Sequence, residues 1–257
     1  MPKVKDNLRE FLQVKNSTDT HAELYFYGDI VSDWQCAFDD IDQYPEAVRD
    51  FLKEHEGKDL DIYINSGGGA VFAGLAIYNM LKRHKGHKRV HVDGIAASIA
   101  SIIAFAGDEV LVPSNAFLMI HKPTVSLWGN ADDFRKTADE LDIFQDGLVS
   151  TYVERALEGV TKEEIDKMVN AETWLTGEQA KEYFDITVTP EVQMAAKLEK
   201  DSISKYKQIP ESLLNSLEKP EKTPKNEKNP QSNEDLEKIK QKILRCSVIG
   251  TTKGAKL

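Results

Sequence analysis

Three short segments carry residue types that could do chemistry together. The first is Asn65-Ser66-Gly67-Gly68-Gly69-Ala70, a glycine run between a β-rich stretch and a helical one. Glycines let a backbone turn sharply and bring its N–H groups close to a ligand. At a helix start those groups suit negative charge. The residue types exclude nucleotide binding: there is no Gly-Lys-Ser/Thr ending, and the G-x-G-x-x-G spacing fails because Phe72 occupies its last position. A tight turn without ligand and an oxyanion-binding turn both stay open.

The second segment is Gly94-Ile95-Ala96-Ala97-Ser98-Ile99-Ala100-Ser101, where Val90–Asp93 runs into small residues, a serine and an apolar helix. A serine in the first helical turn presents its hydroxyl away from the sheet. Small neighbours let a carbonyl approach, and the next N–H can face the same oxygen. The pattern follows the logic of a nucleophile elbow without its G-x-S-x-G motif; its plainer use is an N-cap. The third segment is Leu118-Met119-Ile120-His121-Lys122-Pro123, which ends an apolar strand on a histidine, where parallel α/β sheets place their active sites. Paired with a serine in a strand-to-helix turn, His121 suits the general base of acyl transfer. His84, His87 and His91 fall in or just after a basic stretch, and His21 and His55 in polar surroundings. A base of this kind needs a carboxylate to hold its tautomer. Asp93, Asp108, Asp132, Asp133 and Glu172 are all available, and the residues alone do not choose among them.

The elements that would position these groups follow from periodicity. Glu23–Tyr27, Leu60–Asn65, Val90–Asp93, Glu109–Val112 and Ala116–Ile120 read as strands. Helical windows lie between them at Asp33–His55, Ala70–His84 and Ser98–Ala106. This alternation implies parallel pairing through crossovers, with both sheet faces covered. After Ile120 the strands largely stop. Asp132–Leu157 reads as one long amphipathic helix with Phe134, Leu141, Phe144, Leu148, Tyr152 and Val153 on its stripe. Thr161 and Glu164 form a capping box for a helix through Val169, and Thr176 begins another through Tyr183.

Composition bounds the rest. The chain has 257 residues, 40% hydrophobic and 30% charged, the mix of a globular protein. No run of about 18 apolar residues suggests a membrane span, and the first twenty residues lack the apolar core of a secretory signal. Cys36 and Cys246 lie far apart and outside metal-ligand spacing, so neither a disulfide nor a zinc site is expected. The formal charge of −10 argues against a nucleic-acid-binding surface. It is unevenly distributed: residues 191–257 hold 14 Lys+Arg against 10 Asp+Glu, and the rest of the chain 19 against 33. Within 191–257 the sole aromatic is Tyr206, and the stretch EKPEKTPKNEKNPQSNED cannot bury enough apolar surface to offset chain entropy. The expected organisation is an N-terminal segment 1–19, a folded domain 20–190, and a charged, largely disordered extension 191–257. Short helices are expected in the extension at Pro190–Lys207 and Asn233–Leu244.

In this order INSGGG, GIAASIAS and FLMIHKP, with Glu172-Thr173-Trp174-Leu175-Thr176 further on, resemble the proteolytic subunit of the Clp protease, a serine peptidase family, over about 20–187. The family writes Asn-Ser-Pro-Gly-Gly, Ala-Ala-Ser-Met and Met-Ile-His-Gln-Pro. The resemblance implies Ser98 as nucleophile, His121 as general base, Glu172 at the position of the family's aspartate, and the Gly68 and Ile99 N–H groups as the oxyanion hole. Two departures stand out: glutamate replaces aspartate at 172, and Gly67 replaces proline. The implied fold is an α/β spiral of repeated ββα units, shared with crotonases, with Asp132–Leu157 as a protruding handle helix on which rings of subunits dock. No metal or organic cofactor is implied. Expected partners are peptide and protein substrates and further copies of the chain, in the cytoplasm, without nucleic acid or membrane.

Within the family, the charged extension and the Ala171-Glu172-Thr173-Trp174 segment resemble the head-maturation proteases of tailed phages and prophages, which implies capsid or scaffold proteins as partners. The alternative is a Clp proteolytic subunit working with an ATP-driven unfoldase. A crotonase-like acyl-CoA enzyme and an inactive ring subunit complete the range of readings.

Overall fold

The computed structural model describes residues 17–37, 42–191, 203–211, 213 and 214. Seven strands make one sheet: β1 His21–Phe26, β2 Asp59–Ser66, β3 Lys88–Ala97, β4 Glu109–Pro113, β5 Phe117–Ile120, β6 Thr173–Thr176 and β7 Thr187–Thr189. The helices are α1 Pro45–Glu54, α2 Val71–Arg83, α3 Ile99–Ala104, α4 Ala131–Val153, α5 Lys162–Asn170 and α6 Gly177–Ala180. The spatial order is β1-β2-β3-β4-β7, with β5 beside the far half of β3 and β6 beyond β5. Every pairing is parallel except β5 with β6. This is the mostly parallel α/β sheet that strand–helix alternation predicts.

β3 is the pivot. Its first half pairs with β4 at Arg89–His91, and its second half pairs with β5 at Ile95–Ala97. The β2–β3 register shifts between Ile64 and Ser66, which brings Ala96 opposite Ser66. The chain therefore leaves β2, β3 and β5 at neighbouring points on the carboxyl edge of the sheet. Those three exits are the three segments singled out by chemistry.

Side-chain alternation gives β5 two buried faces. Ala96, Leu118 and Ile120 point into the main core, with Ile64, Val92, Ile102 and Phe184. Ile95, Ala97 and Met119 point the other way, into a smaller cluster with Ile203, Tyr206 and Leu213. Ile203, Tyr206 and Leu213 thus contribute core, although the composition around them reads as part of a solvated extension. The expected helix Asn233–Leu244 lies outside the described residues, as does most of Pro190–Lys207.

Four elements differ from expectation. Among the described residues, the window Asp33–His55 is helical from Pro45, where proline occupies the first turn and Tyr44 is an extended N-cap. Residues Asp33–Cys36 instead make a turn, with the Gln35 N–H on the Asp33 carboxylate at 2.8 Å. β6 and β7 are strands of four and three residues, too short for a period-2 signal. The helix begun by Thr176 runs only to Ala180. Cys36 is disulfide-bonded, against expectation.

The long helix α4 opens on a capping box in which Asn130 and Asp133 each accept the other's backbone N–H. Its buried residues, Gln145, Leu148, Val149 and Tyr152, all lie in its second half, and its first half stands off the domain. Among the described residues no helix is long and apolar enough to cross a membrane.

Candidate active site

The parallel register sets Ala97 beside Met119, and the Ser98 N–H donates to the Met119 carbonyl at 2.8 Å. One residue past β3 and one past β5 then face each other. Ser98 Oγ and His121 Nε2 are 2.7 Å apart. The serine sits at φ 55°, ψ −129°, a left-handed conformation that costs a non-glycine residue about 1–3 kcal/mol. Its carbonyl is clamped from below: Ser101 Oγ donates to it at 2.6 Å, and the Tyr152 hydroxyl meets Ser101 Oγ at 2.8 Å. Both groups are buried, so the strained turn is over-determined by its surroundings. The sequence places Ser101 in the serine segment and Tyr152 on the stripe of the long helix, but gives neither a role beneath Ser98.

The glycine turn closes the other side. Gly68 has φ 88°, and a Cβ there would lie 2.6 Å from the Ala97 carbonyl oxygen and 2.8 Å from Ser98 Cβ. Only glycine lets this backbone lie against the serine. A Cβ on Gly69 would lie 2.0 Å from the Ile30 carbonyl oxygen, which accepts the Ala70 N–H at 2.7 Å. The Ile99 N–H, first of α3, has no intrahelical acceptor. The Gly68 N–H donates to Ser66 Oγ at 3.1 Å, and Ser66 in turn donates to the Gly28 carbonyl at 2.7 Å.

His121 is largely buried, and desolvation pushes its pKa below the ordinary imidazole value. The Glu172 carboxylate opposes that shift and Lys205 adds to it. Its ring is neutral and basic at neutral pH.

The structure also separates the candidate carboxylates. Asp93 takes a short hydrogen bond from the Tyr27 hydroxyl. Asp108 pairs with Lys88 Nζ at 2.8 Å. Asp132 and Asp133 belong to the start of α4. Glu172 alone of the five lines the same cleft as Ser98 and His121, a cavity of about 520 Å³. It too is strained, at φ 52°. Its Oε1 accepts the backbone N–H groups of Lys207 and Gln208 at 2.6 and 2.7 Å. No hydrogen bond joins it to His121. The other histidines have structural partners: His21 and His91 share Asp61, His87 faces Asp108 and Glu109, His84 meets the Lys58 carbonyl and His55 that of Phe51.

Tyr206 is the largest addition to the sequence reading. Its hydroxyl donates to the Gly67 carbonyl at 2.5 Å and also meets the Ser98 side chain. Its ring meets His121 and Trp174 edge-on, with centroids 5.0 and 5.9 Å apart. As the sole aromatic of the extension, it was visible as an oddity in the sequence, but its destination was not.

Fold and site together define an α/β protein with a hydroxyl–imidazole pair on a strained strand-to-helix turn, beside a glycine turn at the carboxyl edge of its sheet. The sequence profile of the Clp protease family matches residues 48–184, and the chain belongs to that family. Similar curated proteins are ATP-dependent Clp protease proteolytic subunits. That of Bacteroides fragilis is 33% identical over 130 residues, 49% of this chain and 61% of the relative. That of Bacteroides thetaiotaomicron is 34% identical over 130 residues, 49% of this chain and 58% of the relative. Subunit 1 of Streptomyces avermitilis is 32% identical over 133 residues, 51% of this chain and 60% of the relative. The chain thus spans about three fifths of the length of the curated relatives it matches.

Proposed function

We propose that the chain is a serine endopeptidase acting within a ring of its own copies. The observation that carries this reading is the 2.7 Å contact between Ser98 Oγ and His121 Nε2 on a backbone held at φ 55°. In the reaction His121 takes the Ser98 proton as Oγ attacks the peptide carbonyl carbon. The carbonyl oxygen gains the negative charge and is held by the Ile99 and Gly68 N–H groups, the latter turning from Ser66 Oγ. The imidazolium returns its proton to the leaving amine as the C–N bond breaks. Water, deprotonated by the same nitrogen, then hydrolyses the acyl-enzyme and restores the serine. Glu172 supports the imidazolium by charge.

Labelling with a fluorophosphonate probe, located by tryptic mass spectrometry, tests this directly. The adduct is expected on Ser98 and absent from Ser98→Ala. His121→Ala should slow it by roughly 10³-fold or more, as loss of a triad base does elsewhere. A folded sample with no adduct on Ser98 would sink the mechanism.

Within this reading we place the enzyme in phage or prophage head maturation, trimming capsid or scaffold proteins. The Ala171–Trp174 segment and the charged residues 191–257 support that assignment. The names of the relatives support the second reading, a proteolytic subunit served by an unfoldase. The two part on one measurement: ATP-dependent protein degradation when a Clp unfoldase is added belongs to the second reading only.

A further inference from the structure

We infer that residues 203–211, 213 and 214 belong to an intramolecular strap that holds the site in an inactive state; this rests on Ser98 and His121 being the catalytic pair. Three sets of contacts carry it. First, Tyr206 stands where an acyl group must pass. Its hydroxyl reaches across the cleft to the Gly67 carbonyl at 2.5 Å and meets the Ser98 side chain, and its ring edge abuts His121. A substrate carbonyl approaching Ser98 Oγ from the glycine turn displaces this side chain. Second, the strap takes the acid. The Lys207 and Gln208 N–H groups both donate to Glu172 Oε1, and Gln208 Nε2 donates to the Ala171 carbonyl at 2.7 Å. Two N–H donors on one carboxylate are charge-assisted bonds, and they are made in place of one from His121. Third, the strap is anchored by apolar burial. Ile203, Tyr206 and Leu213 are 0, 7 and 2% exposed against Ile95, Ala97 and Met119.

The geometry is that of a ligand, not of a passing loop. Lys205, Tyr206, Lys207 and Gln208 line the same cleft as Ser98, His121 and Glu172. The strap's polar grip on the site is local: two backbone amides, one side-chain amide and one hydroxyl, none of them part of the sheet's ladder. Release frees Glu172 to turn onto the imidazole and opens the approach to Ser98.

The test uses the full chain and measures the rate of fluorophosphonate labelling at Ser98 in wild type, Tyr206→Ala, Tyr206→Phe and Lys207→Pro. Tyr206→Ala removes the plug. Tyr206→Phe keeps the ring and removes only the hydroxyl's contacts, with the Gly67 carbonyl and the Ser98 side chain, and Lys207→Pro removes one donor to Glu172, which keeps the test alive if the alanine variant fails to fold. Loss of one charge-assisted bond should raise the open fraction, and the labelling rate, roughly tenfold. Faster labelling in Lys207→Pro and in either Tyr206 variant supports the strap. Variants that label at or below the wild-type rate overturn the strap and leave the serine peptidase standing. No labelling of Ser98 in any folded variant overturns both.

Discussion

At the scale of single residues, the site depends on a buried histidine staying neutral. Desolvation lowers the His121 pKa, the Glu172 carboxylate raises it, and the first effect is larger. A base must be unprotonated to accept the serine proton, and that form exists above the pKa. Labelling of Ser98 should therefore rise with pH through a midpoint below about 6.5, the unperturbed imidazole value, and be flat by neutrality. Replacing Glu172 with Gln removes the raising influence, so the midpoint should fall further while the plateau rate drops. A pH profile of the labelling rate in both proteins decides it, and a wild-type midpoint above the ordinary value would contradict the burial argument. The same accounting shows why the acid could not be selected from residue types. Asp93, Asp108, Asp132, Asp133 and Glu172 are chemically interchangeable on paper. What separates them is a tyrosine beside one, a lysine beside another, a helix start for two, and a cleft for the last.

At the scale of elements, two strand exits and one glycine turn must meet within a few ångströms. The turn is the least tolerant of the three. Gly68→Ala would set a methyl 2.6 Å from the Ala97 carbonyl oxygen at a φ of 88°. Left-handed strain and the clash together should cost at least ~2 kcal/mol. That lowers Tm by roughly 4–8 °C in a domain of this size, and labelling at Ser98 should fall with it because the neighbour displaced is Ser98 itself. A thermal melt and a labelling rate on the same sample check both halves, and an unshifted Tm would show that the turn relaxes. Much of this architecture was legible: strong hydrophobic periodicity marks β1 to β5, and each begins within two residues of its expected start, although β3 runs four residues past its expected end at Asp93. The failures have physical causes. Pro45 starts a helix that the apolar pattern extends too early, since local periodicity does not see the turn closed by Asp33. β6 exists because β5 needs a partner on its open edge, a tertiary demand that four residues cannot advertise. Tyr206 meets Gly67 across 139 residues of sequence. Contacts at that separation leave no trace in local composition, and the lysines and prolines around Tyr206 speak for solvent.

At the scale of the whole molecule, the unexplained surface is apolar and concentrated on the helix that leaves the domain. In α4, Phe134, Ile143 and Phe144 are 52, 69 and 37% exposed, and Phe72 of α2, 64% exposed, sets its ring edge-on to Phe144 at 5.0 Å. Trp128, in the irregular stretch between the cleft residue Thr124 and the start of α4, is 98% exposed. Single exposed apolar residues are ordinary, but several on and beside one projecting helix mark an association surface. The same helix roots its second half in the core through Leu148, Val149 and Tyr152, and Tyr152 holds Ser101 beneath the Ser98 turn. An assembly gripping the exposed half would therefore pull on an element that reaches the site. Ile143→Glu combined with Phe144→Glu places two like charges on that surface without disturbing any buried group. We expect the wild type to run as a large oligomer in light scattering coupled to size exclusion, and the double variant as a much smaller species of nearly unchanged Tm. Such a variant should also label at Ser98 more slowly than the wild type if docking steadies α4. A wild-type chain that is monomeric at micromolar concentration, or a double variant of undiminished size, would remove this helix from the assembly and leave its apolar stripe to another partner.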